Sequence, residues 1–225
     1  MTALAQQFTI EIGTANTVSA ILMLPPKPRA CFVFAHGAGA GMTQAFMETV
    51  AHGLSERGMA TLRYQFPYME KGSKRPDQPA VAHAAVRAAV AEAGRYCEGV
   101  PLIAGGKSFG GRMTSQAQAI APMSGLHGLA FLGFPLHPPG KPSVDRAKHL
   151  SDVHVPKLFM QGTRDDFAEL KLLEPLVKSL GPSATLHLVE GADHSLHVPK
   201  RSGRDVREVM DEVLDAFVKW INSIV

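Results

Sequence analysis

The sequence predicts an α/β fold built on a mostly parallel, doubly wound sheet that opens with an antiparallel strand pair. Continuously apolar runs of strand length, such as Ala30 to Ala35 (ACFVFA), read as strands buried on both faces. These runs alternate with helical stretches in a strand, helix, strand rhythm, which is the pattern of parallel sheets covered by helices. The size is also right: 225 residues, 45% hydrophobic and 19% charged, can bury a core around one sheet.

Phe8 to Ile12 and Val18 to Leu24 are β-type runs on either side of Gly13-Thr14-Ala15-Asn16, the expected antiparallel opening. Pro25, Pro26 and Pro28 then interrupt the pattern. After the Ala30 to Ala35 strand, Thr43 to Arg57 reads as a helix, Met59 to Phe66 as a buried strand, and the alanine- and valine-rich Asp77 to Tyr96 as a second helix. Pro101 to Ala104 is the next strand, followed by a helix over Ser108 to Ile120 and a strand over Leu129 to Phe134. Lys157 to Gln161 and Thr185 to Glu190 read as the remaining strands, Glu169 to Leu180 and Arg204 to Val225 as the remaining helices. The stretch Leu136 to Val155, with Pro138, Pro139 and Pro142, is too short for a lid domain and fits a small flap beside a site. No internal repeat appears, so one domain over 1–225 is expected, with 136–155 as its flap.

Composition narrows the function. Lys+Arg of 23 against Asp+Glu of 20 gives a formal +3 from scattered residues, which offers nucleic acid no basic stripe. Cys31 and Cys97 lack a CxxC partner and fit two thiols in a reducing compartment, with a single disulfide left open. The opening MTALAQQFTIEIGT has no secretory pattern, and no apolar run approaches the roughly 18 residues of a membrane span. A cytoplasmic protein without a membrane partner is the expectation. Gly106-Lys107-Ser108 ends like a phosphate loop, but the first glycine of that motif would fall at Pro101. Gly37 and Gly39 begin like a dinucleotide turn whose third glycine would fall at Met42. His194 and His197 beside Asp193 are weak evidence for a metal, so neither metal nor cofactor is expected.

The chemistry concentrates in three loops. Gly106-Lys107-Ser108-Phe109-Gly110 fits G-x-S-x-G between an apolar strand and a helix, the context in which that motif places a serine on a strained turn. Such a turn needs small neighbours, which Gly106 and Gly110 supply. A serine hydroxyl is a weak nucleophile until a base takes its proton, so a histidine and an orienting carboxylate must follow. Gly162-Thr163-Arg164-Asp165-Asp166 follows one strand, and Gly191-Ala192-Asp193-His194-Ser195 follows another, each at the carboxyl edge where open α/β sheets build sites. Two backbone donors must also meet a developing oxyanion. Phe109, after the serine, and Ala38, in the glycine-rich His36 to Gly41 loop, are the candidates.

Together, HGAGAGM, RYQFPYME, GGKSFGGRM and FLGFPLHPPGKP resemble the α/β-hydrolase superfamily. Within it they are similar to the group of a testis-expressed eukaryotic protein and a nonspecific-lethal-complex subunit, with small bacterial relatives resembling dienelactone hydrolases. The resemblance implies the hydrolase fold without a large lid and a serine-hydrolase constellation on Ser108, Asp165 and His194. Asp165, three residues after the turn glycine, occupies the superfamily's usual acid position; Asp166 is the alternative.

Blander roles compete for other residues. His36 reads as shaping its loop rather than moving protons, and His137 and Lys141 in the flap read as solvent-exposed. Lys107 and Arg112 flank the nucleophile and would attract an acidic substrate, although Lys107 equally fits a side chain directed elsewhere. The reading as a whole is a serine carboxylesterase acting on small esters through an acyl-enzyme. Its rival is a catalytically inactive interaction module on the same scaffold.

Overall fold

A computed structural model describes residues 4–14 and 16–225, so Ala15 of the expected opening turn lies outside the described residues. Eight strands form one sheet: β1 (Ala5–Ile12), β2 (Asn16–Met23), β3 (Cys31–Ala35), β4 (Ala60–Tyr64), β5 (Leu102–Lys107), β6 (Leu126–Leu132), β7 (Lys157–Gly162) and β8 (Ala184–Val189). Their spatial order is β1-β2-β4-β3-β5-β6-β7-β8. β2 pairs antiparallel with β1 and β4, and all other neighbours are parallel, as the sequence predicts.

Why the central strands are apolar throughout is visible in β3. Its successive side chains point to opposite faces, and helices cover both. Cys31, Val33 and Ala35 face a layer that includes α3 (Pro79–Tyr96), α4 (Phe109–Ile120) and α5 (Leu170–Ser179). Phe32 and Phe34 face α1 (Ala45–Glu56) and α6 (Val206–Ile221). The α6 face is anchored by Phe217, whose ring meets Phe32 at 4.9 Å between centroids. Asp205 starts that helix with a capping box to Glu208, satisfying free amides at its first turn. Edge strand β8, by contrast, is only partly buried.

The structure departs from the sequence reading in a few places. β5 runs on through Gly105, Gly106 and Lys107, three residues past the expected end at Ala104. A β-carbon on Gly105 would stand 1.8 Å from the Ala130 carbonyl oxygen, so the strand needs glycine to lie beside β6. β6 begins at Leu126, three residues before the expected Leu129. A short helix not anticipated, α2 (Pro67–Glu70), starts on Pro67 and turns the chain after β4. The 136–155 segment carries a 3-10 stretch at Asp145–Asp152 and is held down by buried Leu136, Ala147, Leu150 and Val153. Cys31 and Cys97 are free thiols, both buried. Among the described residues no helix is long and apolar enough to cross a membrane.

Phe217→Ala should cost about 3–5 kcal/mol of stability in urea unfolding, the range for deleting a core aromatic ring. Ile120→Ser, at a position 70% exposed, should stay within about 0.5 kcal/mol of the parent.

Candidate active site

The site is assembled where the parallel strands end. β5 stops at Lys107 and α4 starts at Phe109, with Ser108 between them at φ 49° and ψ −113°. A non-glycine residue held there stores about 1–3 kcal/mol of strain. Neighbouring glycines make the turn feasible. A β-carbon on Gly106 would lie 2.2 Å from the Ala35 carbonyl oxygen, and one on Gly110 would lie 2.6 Å from the carbonyl oxygens of both Ala35 and His36. The Ser108 amide donates to the Leu132 carbonyl at 3.2 Å, and its own carbonyl accepts from the Arg112 amide at 3.1 Å.

Two later loops reach the serine. Ser108 Oγ lies 2.8 Å from His194 Nε2, and His194 Nδ1 lies 2.7 Å from Asp165 Oδ2. Because Nδ1 faces a carboxylate, it holds the ring proton and leaves the Nε2 lone pair to accept from the hydroxyl. Asp165 is wholly buried as a side chain, while the His194 ring is 18% exposed. Asp166 is exposed, so of the two carboxylates it is Asp165 that meets the imidazole. The buried Asp165 carboxylate accepts two further hydrogen bonds. The Phe167 amide donates to Oδ1 at 2.7 Å, and Gln161 Nε2 donates to Oδ2. Gln161 is fixed in turn by accepting from the Phe134 amide at 2.8 Å. On the histidine side, the Phe167 ring stacks on the imidazole with centroids 4.2 Å apart. Lys107 Nζ donates to the His194 carbonyl. Burial lowers the Lys107 pKa to about 8 against the opposing pull of Asp165 and Asp193.

The glycine-rich loop after β3 is braced from beneath. His36 Nε2 accepts from the Phe66 amide at 3.0 Å, so Nδ1 carries the proton and donates to the Gly37 carbonyl at 2.8 Å. Burial pulls the His36 pKa down to about 4, keeping the ring neutral near pH 7, although the Gly37 carbonyl favours the charged form. The Gly39 amide donates to the Tyr68 hydroxyl at 3.0 Å, and the Met42 amide to Gln65 Oε1 at 2.8 Å. These contacts agree with a shaping role for His36. Two cavities open on the serine and share Ala38, Ser108 and Phe167. One, of about 340 Å³, is bordered by His194, Lys107 and Phe46; the other, of about 380 Å³, by Phe109, Arg112 and Arg146.

One expectation is corrected. His137 is not solvent-exposed but 1% exposed, its amide donating to the Phe167 carbonyl at 3.0 Å and its Nδ1 donating to the Pro138 carbonyl at 2.9 Å. The proline run around it folds the ring under the Asp165 loop, a long-range packing that local polarity does not reveal. Lys141 is exposed. Gln161 and Phe167 escaped the sequence reading. Gln161 is a polar residue at the end of an otherwise apolar strand, and that was the available signal.

Gly110→Ala should lower stability by about 1–3 kcal/mol in thermal or urea unfolding, since two backbone carbonyls must move. His36 supplies a pH test. Its folded pKa of about 4 lies below the unfolded value of about 6.5, so the unfolded chain binds the extra proton between those limits. Stability from this group is complete above about pH 6.5 and declines as pH falls toward 4, with a slope of at most about 1.4 kcal/mol per pH unit. Urea midpoints measured across that window should fall less steeply with acid for His36→Asn than for the parent.

Comparison with known proteins gives a consistent answer. A family described as "Alpha/beta hydrolase domain" matches residues 28–222. A dienelactone hydrolase from Anabaena variabilis superposes with a TM-score of 0.79 at 17% identity, covering 100% of both chains. An α/β serine hydrolase without a lid from Xanthomonas campestris gives 0.72 at 17% identity, covering 96% of this chain and 94% of that one. The esterase domain of a Rhodothermus marinus protein gives 0.72 at 17% identity, with 96% and 97% covered. At such identities the structural likeness speaks to the fold, and the family match carries the assignment: this chain belongs to the alpha/beta hydrolase family.

Proposed function

We propose that the protein is a serine hydrolase that cleaves small carboxylic esters through an acyl-enzyme on Ser108. The observation that carries this reading is the unbroken hydrogen-bond chain from Ser108 Oγ through His194 to Asp165. It begins on a serine in strained backbone geometry and ends on a buried carboxylate. The esterase and serine-hydrolase descriptions of its structural neighbours agree with it.

In the first half-reaction His194 Nε2 takes the Ser108 proton as Oγ attacks the ester carbonyl carbon. Asp165 keeps the imidazole in its Nδ1–H tautomer and stabilises the imidazolium that forms. The negative charge passes to the carbonyl oxygen, facing the amides of Ala38 and Phe109. Among the described residues neither amide is committed to a backbone acceptor outside the regular elements. Each such donor is worth about 2.7–4 kcal/mol of transition-state stabilisation. Collapse of the tetrahedral intermediate breaks the carbon–oxygen bond of the leaving group, which takes its proton from His194. Water then attacks the acyl-enzyme with His194 as base: its hydroxyl ends on the acyl carbon and its proton returns to Ser108. The products are an acid and an alcohol.

A fluorophosphonate probe should label the parent protein, and Ser108→Ala should abolish labelling. On p-nitrophenyl esters of increasing chain length, Asp165→Asn should reduce kcat by about 10³–10⁴, the scale set by loss of the correct histidine tautomer. Asp166→Asn should leave kcat within about twofold of the parent, since surface changes away from such contacts are nearly neutral. A parent that remains unlabelled while folded would replace this reading with the inactive interaction module.

A further inference from the structure

The two cavities flanking Ser108 differ in a way that fixes which half of an ester enters each. Resting on the proposed esterase reading, the leaving group has to lie on the His194 side, because that ring must protonate the departing oxygen. The acyl group is then left with the cavity bordered by Phe109, Arg112, Met113 and Arg146, which His194 does not line.

That acyl cavity is electropositive. Arg112 stands one helical turn beyond Ser108 on α4, about 6 Å along the axis, and Arg146 comes from the 3-10 stretch of the 136–155 segment. Among the described residues neither guanidinium forms an ion pair, and Arg112 Nε is buried without a hydrogen-bond partner. A buried donor left unmatched is costly, and an acceptor brought by a ligand would relieve it. One carboxylate, Asp77, also lines the cavity, but it is engaged by the Tyr68 amide at 2.8 Å. It leaves two cations to one anion. The neighbouring imidazoles add no negative charge to offset them. His149 is bonded to Ser115 and lowered to about 4, first by burial and then by Arg112; His83 is bonded to Gln116 and also lowered by burial. Arg112 and Arg146 repel one another, and burial adds to the cost of holding Arg112 charged. The planar, five-donor guanidinium suits a carboxylate, which can bridge two of them.

We propose that Arg112 and Arg146 form the acyl subsite for an ester whose acid part ends in a second carboxylate, a half-ester of a dicarboxylic acid. The attacked carbonyl sits at Ser108 and the free carboxylate lies a few methylenes away, between the guanidiniums. Water converts the half-ester to the dicarboxylate and the alcohol by the steps already given.

The test compares mono-p-nitrophenyl adipate with p-nitrophenyl hexanoate, which matches its length and lacks the charge. An adipate chain is too long for its carboxylate to reach the ester through an unstrained five- or six-membered ring, so spontaneous hydrolysis stays low. The parent should show a kcat/KM for adipate at least about tenfold above hexanoate, the scale of a charged hydrogen bond. That ratio should collapse toward one in Arg146→Gln and Arg112→Gln, with Arg146→Lys between. Arg146 sits on a half-exposed surface segment, so its substitution reads the subsite even where Arg112→Gln fails to fold. Free adipate should also protect Ser108 from fluorophosphonate labelling more effectively than hexanoate, a reading that needs no turnover. Equal or better hexanoate turnover, or a ratio indifferent to both arginines, overturns the subsite and leaves the esterase standing. A folded parent that is not labelled and cleaves neither ester overturns both.

Discussion

Gly110 has no room for a side chain, and that single close approach organises the site. The first turn of α4 is pressed against the carbonyls of Ala35 and His36 at the end of β3, while Gly106 is pressed against Ala35 from the neighbouring strand. Two backbones packed without an intervening β-carbon bring the loop after β3 directly beside Ser108: a β-carbon on Gly37 would lie 3.9 Å from that of the serine. Candidate oxyanion donors on Ala38 and Phe109 come from segments that meet only because of this contact. The strained serine conformation persists for the same reason, since β5, α4 and β3 hold its neighbours on every side.

The second arm of the site is built on different physics. Asp165 and His194 follow β7 and β8, which are parallel neighbours, so their loops emerge side by side at one edge of the sheet. Proximity alone would leave both side chains free to rotate. Gln161 removes that freedom by donating to Asp165 while its oxygen holds the Phe134 amide, tying the acid to the turn beyond β6. Phe167 does so by stacking on the imidazole, and Lys107 by gripping the histidine's own carbonyl from the elbow. Each support comes from an element other than the one it steadies. The geometry is therefore set before any ligand arrives, and an apolar, buried surrounding makes each of these polar contacts stronger than it would be in water.

How much of this was legible in sequence depends on how local the signal is. The alternation of apolar strand runs with helices gave the parallel sheet, because strands buried on both faces have no polar alternation to display. The three loops could be found because each obeys a short-range rule: glycines around a serine, a carboxylate or a histidine just past an apolar run. Asp165 was separable from Asp166 only by spacing, and the structure distinguishes them by burial. What escaped notice was nonlocal. Gln161 looked like the polar end of a strand, and its partners Phe134 and Asp165 come from two different loops. His137 looked exposed among prolines, yet it packs beneath the acid loop. Gly105 looked like a strand terminus, although its demand for space comes from Ala130 on the next strand. In each case at least one deciding neighbour, Phe134, Phe167 or Ala130, lies many residues away along the chain.

On the proposed reading, a strained serine with no large lid above it leaves selectivity to the walls beside it. In this chain those walls are unequal. The side containing His194 offers one ammonium, partly satisfied by a carbonyl and titrating near 8, beside an aromatic ring. The opposite side offers two guanidiniums, neither in an ion pair among the described residues, against the single carboxylate of Asp77. Keeping two like charges together in a part-buried cavity opposes folding unless an anion offsets them, so a stability-driven sequence would be expected to lose one of them. Arg146 gains nothing for the core, since it belongs to a surface segment whose own packing is supplied by Leu136, Ala147, Leu150 and Val153. A charge that serves neither packing nor an ion pair, on the wall of a cavity that Ser108 also lines, is what the proposed carboxylate subsite requires.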